Sequence, residues 1–429
     1  MGENIVTSWD PRASGGMADA QDSKSCDGNI VRVQVPPRPQ IMSKNSVLVK
    51  ASFVLMVLLF ASTALAHKDG RADPFYGSVA STEHIKEHYK EGELKILIVP
   101  GHSKDSGGTE FAGVLERDLN VILADKLASK LGVNKNFRIF VARDLTKDYS
   151  PWLKEYMLSG RQDILLFQSQ AMKAYNSLKS GLPAATGQVH HNTASSEAAF
   201  ELYALNKFAN DNKIDIAIHI HINDYPRAKA WEAGKHNGFT IYTPDSTFAN
   251  HEASLSLAKH LRDHLAKIMP VSTLPGEDTG VTLDRELVAI GSHGSRDNAS
   301  ILIEYGYIYE PQFLQPDLSE FYFNYLASES AAAINKYFDK DATSTPALQH
   351  LFGKTLKRGQ VKSLDVLALQ IKLLGTGQYP PLGRTLRDCP VTGSFGPCTQ
   401  SAVAQFQTSK GLEPVGFVGP KTREALNRN

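Results

Sequence analysis

A short apolar run followed by helical spacing is the clearest pattern in the chain. Residues 96–99 are Ile-Leu-Ile-Val, and Pro100 and Gly101 end the run, which predicts a buried strand. Apolar residues then recur at three- and four-residue spacing over 115–131, which predicts a helix. A buried strand followed by such a helix is the repeating unit of an α/β fold.

Strand and helix patterns continue to alternate up to residue 338. Apolar runs and alternation predict further strands at 137–141, 214–223, 238–242 and 301–306. Helical spacing predicts further helices at 197–210, 254–268 and 321–338. We therefore predict one α/β domain over 94–338, with a mostly parallel twisted sheet flanked by helices. The long segment 144–194 has weak periodicity, and we interpret it as an insertion or lid.

The end of the chain carries an internal repeat. Gly393-Ser-Phe-Gly396-Pro-Cys-Thr399 recurs as Gly416-Phe-Val-Gly419-Pro-Lys-Thr422, and each copy leads into a helical segment. A third helix is predicted over 363–374. The pattern indicates a small all-α C-terminal domain over 359–429, after a polar linker at 339–358.

A three-helix domain of this size has a marginal hydrophobic core. Cys389 and Cys398 lie close together in the sequence, so they could close a loop as a disulfide. Two free thiols are the alternative.

The N-terminal residues have a different composition. Residues 1–41 are rich in Ser, Asp, Gly and Pro, which predicts disorder. Residues 42–66 combine a basic start, an apolar run and the small-residue sequence Ala64-Leu-Ala66, which is typical of a secretory signal peptide. A membrane anchor is the alternative, but the apolar run is shorter than the ~20 residues that a spanning helix needs.

Such a signal peptide normally stands at the start of a protein. Our hypothesis is therefore that translation begins at Met42, that residues 1–41 are not translated, and that the exported protein begins near His67. Residues 67–93 are a polar leader to the α/β domain, and their pattern predicts a short helix over 84–89.

Composition narrows the class of protein. A length of 429 residues predicts more than one domain, and 42% hydrophobic and 21% charged residues are typical of globular proteins. The formal net charge of +1 argues against a protein that binds nucleic acid through a basic face. No pair among the three cysteines has the spacing of a metal finger.

The candidate functional residues lie at the ends of the predicted strands and helices. His102 follows the first strand and Glu116 lies on the first turn of the next helix, so both belong at the carboxyl edge of the sheet. His219 and His221 point to one face of a later strand. His221 is nearer the carboxyl end, level with His102, whereas His219 lies about 6–7 Å further back and is interpreted as a buried second-layer residue.

Two imidazoles and a carboxylate suit Zn²⁺ with an open fourth position for water. We therefore predict that His102, Glu116 and His221 are metal ligands, although a single histidine at a strand end is more often structural. Glu304 is a carboxylate within the apolar strand 301–306, where burial is costly and raises a pKa. It fits a general base.

Four motifs together resemble a known family. These are Pro100-Gly-His102, Glu116-Arg-Asp-Leu-Asn120, Ile218-His-Ile-His221-Ile-Asn223 and Leu302-Ile-Glu304-Tyr-Gly306-Tyr. In this order they resemble the type 3 family of zinc-dependent N-acetylmuramoyl-L-alanine amidases. The resemblance implies that the His, Glu and His of the first three motifs bind zinc, and that Glu304 is catalytic.

The same resemblance implies that the protein hydrolyses the amide bond between N-acetylmuramic acid and L-alanine in peptidoglycan. Asn223 and His293 are candidates for contacting the substrate or supporting the ligands, with plain loop positions as the alternative. A catalytically inactive wall-binding protein and a zinc peptidase that acts within the stem peptide are the alternative functions.

The C-terminal repeat similarly resembles the small helical peptidoglycan-binding domain. The matching positions include Leu369-Gln370 in the first helix, Phe406-Gln407 in the second, and the two Gly-rich copies. We therefore expect peptidoglycan as the partner, with no nucleic acid and no stable membrane span. We expect an exported protein, in the periplasm or in the cell wall and extracellular space.

Overall fold

The computed structural model describes residues 80–104, 108–181, 194–290, 294–295, 298–342 and 350–428. The predictions for 1–41 and for the signal peptide at 42–66 lie outside these residues, as do residues 67–79 of the leader. Within the described ranges, no helix is both long and apolar enough to cross a membrane.

A six-stranded sheet forms the centre of the α/β domain. Its strands are β1 (Leu94–Pro100), β4 (Phe137–Val141), β5 (Ile216–Asn223), β6 (Thr240–Pro244), β7 (Val281–Asp284) and β8 (Ala299–Tyr307). Two short strands form a separate antiparallel pair, β2 (Glu110–Phe111) and β3 (Val114–Leu115). The order in the sheet is β4-β1-β5-β8-β6-β7, and the first four strands are parallel. Strand β6 runs antiparallel to β8 and parallel to β7, so the predicted mostly parallel sheet is confirmed.

Helices cover both faces of this sheet. In the α/β domain they are α1 (Thr82–Glu91), α2 (Glu116–Leu131), α3 (Pro151–Ser159), α4 (Arg161–Ser180), α5 (Ser196–Asp211), α6 (His251–Leu265) and α7 (Pro316–Phe338). Alternate residues of β1 pack against the helices on opposite faces of the sheet, because successive side chains of a strand point to opposite faces. Ile96 and Ile98 pack in the cluster that contains α2, α6 and α7, whereas Leu97 and Val99 pack against α3 and α5.

The segment 144–194 contains two helices that the sequence pattern did not assign. Helix α4 buries one stripe, which consists of Ile164, Phe167, Ala171 and Tyr175. Leu165, Leu166 and Met172 on its other sides are 44%, 58% and 45% exposed. These exposed apolar residues obscure the helical period in the sequence. Residues 182–193 of the segment lie outside the described residues.

Several predicted elements differ from the observed ones at their ends. The helix predicted over 254–268 is α6, which starts three residues earlier, and the strand predicted over 238–242 is β6, which starts two residues later. Helix α7 begins at Pro316 rather than at residue 321. A proline fits the first helical turn because its missing N–H has no partner there.

The C-terminal domain consists of α8 (Leu364–Gly375), α9 (Pro397–Ser409) and α10 (Pro420–Asn427). A buried glutamine supports each copy of the repeat. The Gln370 amide donates to Thr399 Oγ1 (3.0 Å) and its oxygen accepts from Gly393 N (2.9 Å). Gln407 makes the equivalent bonds in the second copy, to Thr422 Oγ1 (2.9 Å) and from Gly416 N (2.9 Å).

A disulfide joins Cys389 to Cys398, with 5.8 Å between their Cα atoms. This bond confirms the predicted disulfide over the alternative of two free thiols.

Candidate active site

His102 lies just beyond β1, where the strand reaches the carboxyl edge of the sheet. Gly101 N donates to the Ile220 carbonyl (2.8 Å), which continues the pairing with β5. The buried Arg143 donates to the carbonyls of Gly101 (2.8 Å) and Pro100 (3.3 Å) and so fixes the strand exit. His102 then takes a φ of 66°, a conformation that residues with side chains rarely adopt and that is found at functional sites.

Two glycines leave the space that the site needs. A Cβ added at Gly101 would lie 2.2–2.6 Å from ring atoms of His221. One added at Gly108, which has a φ of 69°, would lie 2.5 Å from Glu116 Oε2 and 2.6 Å from His102 Cδ2. Any larger residue at either position would displace one of these side chains.

Glu116 is the first residue of α2, as the sequence predicts, and is 4% exposed. The positive end of the helix dipole favours a carboxylate there. Its Oε2 accepts from Thr109 N (3.1 Å), and its Oε1 accepts from Ile222 N (3.3 Å) and Asn120 Nδ2 (3.3 Å). The protein backbone thus holds the carboxylate in place between β1 and β5.

The structure brings His102, Glu116 and His221 together. His102 Nε2 lies 3.0 Å from Glu116 Oε2, and His221 Nδ1 lies 3.0 Å from Glu116 Oε1. One nitrogen or oxygen of each residue lies within 4.8 Å of the others. Ligand atoms around one tetrahedral zinc ion are about 3.4 Å apart, so these residues need only small adjustments to share an ion.

The charges of this group also suit a cation. Burial alone would raise the pKa of Glu116, but hydrogen bonds and charge interactions with His102 and His221 lower it below the ordinary range. Burial lowers the pKa of the His221 imidazole, and Glu116 offsets only part of that effect. A deprotonated carboxylate beside a neutral imidazole is the state that binds a metal. The two histidines and the glutamate therefore fit a zinc ion.

Glu304 lies beside this group on the next strand, because it is the register partner of His221 between β5 and β8. Its Oε2 is buried and has no hydrogen-bond partner among the residues that the structure describes. Burial raises the pKa of Glu304 well above its usual value, and repulsion from Glu116 and Glu277 raises it further. An unpaired carboxylate that readily holds a proton, next to a candidate metal group, is suited to proton transfer.

Glu277 is a buried carboxylate that the sequence did not suggest. It accepts from Tyr242 Oη (2.5 Å), Tyr307 Oη (2.9 Å), Ser272 Oγ (2.5 Å) and Asn223 Nδ2 (3.1 Å). Its neighbours in the sequence are Gly276 and Asp278, which is typical of a surface turn. Only the tertiary structure brings this carboxylate near Glu304.

The remaining predicted residues have different positions. Asn223 lies at the end of β5, and Glu277 holds its side-chain amide. His219 is 2% exposed, and burial followed by repulsion from His221 lowers its pKa to about 3. It pairs with Val99 and Leu302 in the sheet. It lies two residues before His221 on β5 and is therefore further from the carboxyl edge. His293 lies outside the described residues.

Comparison with protein families gives two matches. The model of the N-acetylmuramoyl-L-alanine amidase family matches residues 96–336, and that of a putative peptidoglycan binding domain matches residues 362–426. No curated protein matches the sequence.

Several solved structures are similar to part of the chain. An N-acetylmuramoyl-L-alanine amidase from Clostridium difficile 630 is 18% identical, with a TM-score of 0.34, over 58% of this chain and 98% of that one. The amidase AmiC2 of Nostoc punctiforme is 17% identical, with a TM-score of 0.33, over 58% and 96% of the two chains. The amidase Ami1 from Mycobacterium smegmatis is 14% identical, with a TM-score of 0.37, over 62% and 100%.

Proposed function

The chain belongs to the N-acetylmuramoyl-L-alanine amidase family, and from this premise we propose that His102, Glu116 and His221 hold a zinc ion beside Glu304 as the general base. The enzyme is a peptidoglycan amidase that hydrolyses the bond between N-acetylmuramic acid and L-alanine. The observation that carries the proposal is the convergence of three ligand atoms within 4.8 Å of one another, next to a glutamate on the neighbouring strand.

The family is generally zinc-dependent, and the buried group in this chain could bind a metal. A zinc ion bound there would supply Lewis acidity, which lowers the pKa of water and polarises a carbonyl oxygen. The backbone bonds to Glu116 from Thr109 and Ile222 keep the ligand set in one geometry, so little reorganisation is needed when a substrate arrives.

Glu304 moves the proton in this proposal. Its carboxylate takes a proton from the water that attacks the lactyl carbonyl of N-acetylmuramic acid. As the C–N bond breaks, it gives that proton to the amine of the departing L-alanine. One water is consumed, and the products are a carboxyl group on the glycan and a free amino end on the peptide.

The C-terminal domain supports the same substrate, because residues 362–426 match a peptidoglycan-binding domain. We propose that this domain holds the enzyme on its polymer. Binding of this kind raises the effective concentration of amide bonds around the catalytic domain without any new contact at the active site.

Both domains indicate action outside the cytoplasm, where peptidoglycan lies. We propose that the signal peptide at 42–66 exports the protein and is removed near His67. The Cys389–Cys398 disulfide agrees with an oxidising compartment. Mass spectrometry of the exported protein should give an N-terminus near His67, whereas a recovered peptide from residues 1–41 would contradict the proposed start at Met42.

Digestion of purified peptidoglycan tests the reaction. An amidase releases stem peptides that begin with a free L-alanine amine and leaves the glycan strands whole. Cleavage within the stem peptide would instead identify a zinc peptidase. Binding to peptidoglycan without any release of peptides, by protein that contains zinc, would identify an inactive wall-binding protein.

A further inference from the structure

We propose that His84, His88 and Asp215 form a second divalent transition-metal site, at the opposite edge of the sheet from the active site. Asp215 immediately precedes β5, whereas His221 lies near that strand's carboxyl end. Six residues of an extended strand span roughly 20 Å, so an ion here would be separate from the catalytic group. One ligand atom of each of the three residues lies within 4.8 Å of the others.

The two histidines are spaced for a shared ion. His84 and His88 are four residues apart on α1, so they lie on one face of the helix, and their ring centroids are 4.0 Å apart. Histidines at this spacing on a helix form the first half of known zinc sites. Among the described residues, the ring nitrogens of His84 have no hydrogen-bond partner, so they are available to a ligand.

Asp215 supplies a fixed carboxylate from a different part of the fold. It is 4% exposed, and its Oδ2 accepts from Lys95 N (2.7 Å) while its Oδ1 accepts from His88 Nδ1 (2.7 Å). Its own backbone pairs with β1 and β8, since Asp215 N donates to the Lys95 carbonyl and Ala299 N donates to the Asp215 carbonyl. Two of the candidate ligand atoms, His88 Nδ1 and Asp215 Oδ1, are therefore already adjacent, and the bond from Lys95 N holds the carboxylate in place.

A second pair of histidines in the protein has the same spacing but different hydrogen bonds. His260 and His264 are also four residues apart, on α6. There, His260 Nε2 bonds to the Ala333 carbonyl (3.0 Å) and His264 Nε2 bonds to Glu329 (2.9 Å). Both histidines on α6 therefore have a partner within the fold, whereas on α1 only His88 has one and His84 has none among the described residues.

The donor set selects the class of metal. Two imidazoles and one carboxylate suit Zn²⁺, Ni²⁺ or Cu²⁺ rather than Mg²⁺ or Ca²⁺, which prefer oxygen ligands. The site has a structural role in this proposal, because it connects α1 to the sheet at Asp215. His84 is exposed, so solvent has access to the ion and binding should be weaker than at the buried active site.

The number of zinc ions bound per chain tests the inference. Metal-free protein is dialysed against micromolar Zn²⁺, and bound zinc is measured by elemental analysis. We expect two ions in the wild type and one in His84→Gln, which leaves the His88–Asp215 bond intact. The matched control His264→Gln should still bind two. Equal zinc contents in the wild type, His84→Gln and His264→Gln would overturn the site.

A background without the active site separates this inference from the proposed function. In His102→Ala we expect one zinc ion, and that ion should be lost in His84→Gln/His102→Ala. We also expect Zn²⁺ to raise the unfolding temperature of His102→Ala but not that of the double variant. A His102→Ala protein that binds no zinc while the wild type binds one would overturn the second site and leave the catalytic one.

Discussion

His221 and Glu304 are register partners on two adjacent parallel strands, β5 and β8. The pairing puts a proposed metal ligand and the proposed general base side by side at one edge of the sheet. The two side chains have different environments. The His221 ring is bonded to Glu116, whereas Glu304 Oε2 has no hydrogen-bond partner among the described residues.

Glu304→Gln should keep the metal and lose the reaction. Glutamine has nearly the same shape but cannot take a proton, and proton transfer by a positioned side chain contributes roughly 10²–10⁴-fold to a rate. We expect the zinc content to match that of the wild type while the release of free amino ends from peptidoglycan falls by at least about 100-fold. A variant with near-wild-type turnover would exclude Glu304 as the base.

Removal of metal should abolish activity reversibly. Chelation followed by dialysis should leave folded but inactive protein, and Zn²⁺ should restore hydrolysis. His102→Ala should not recover activity under the same treatment, since one of the three ligands is gone. The control is His264→Gln, which changes a histidine bonded to Glu329 and should recover fully. Full activity of the chelated wild type would contradict a metal mechanism.

The sequence could predict those parts of the site that local patterns determine. A strand that ends at Pro100-Gly101 places His102 at an edge, and a helix that begins at Glu116 places a carboxylate there, and neither inference needs distant residues. The two-residue period of β5 puts His219 and His221 on one face, and the rise along the strand places His221 nearer its carboxyl end. These elements are regular, so their residues can be located from the chain alone.

Features that depend on contacts across the fold could not be predicted. Glu277 occurs in a polar turn sequence, and only the packing of β6, β8 and the turn brings Tyr242, Tyr307 and Ser272 around it. Helix α4 is not evident from the sequence, because exposed apolar residues on it mask its helical period. The residues next to such positions in the sequence do not determine their contacts in the folded protein.

Gly101→Ala should disrupt the active site through a single added methyl group. The new Cβ would lie 2.2–2.6 Å from His221 ring atoms, so the imidazole must move away from Glu116. We expect weaker zinc binding and at least a tenfold loss of hydrolysis, since misplacement by about 1 Å can cost 10²-fold. Gly353→Ala is the matched control, because a Cβ there meets nothing within 4 Å. Equal zinc affinity in both variants would show that His221 can shift without cost.

Glu277→Gln should change both stability and pH dependence. An amide nitrogen would face some of the hydroxyl and amide donors that now point at the carboxylate, and one unsatisfied buried group costs about 1–3 kcal/mol of unfolding free energy. The charge of Glu277 also helps to raise the pKa of Glu304. Its removal lowers that pKa, so Glu304 stays ionised at lower pH and the acid limb of the pH–rate profile should move to lower pH. Denaturant unfolding measures the first effect and hydrolysis across pH the second, with Glu286→Gln, an exposed ion-pair residue, as the control. An acid limb that moved to higher pH would contradict the repulsion between Glu277 and Glu304.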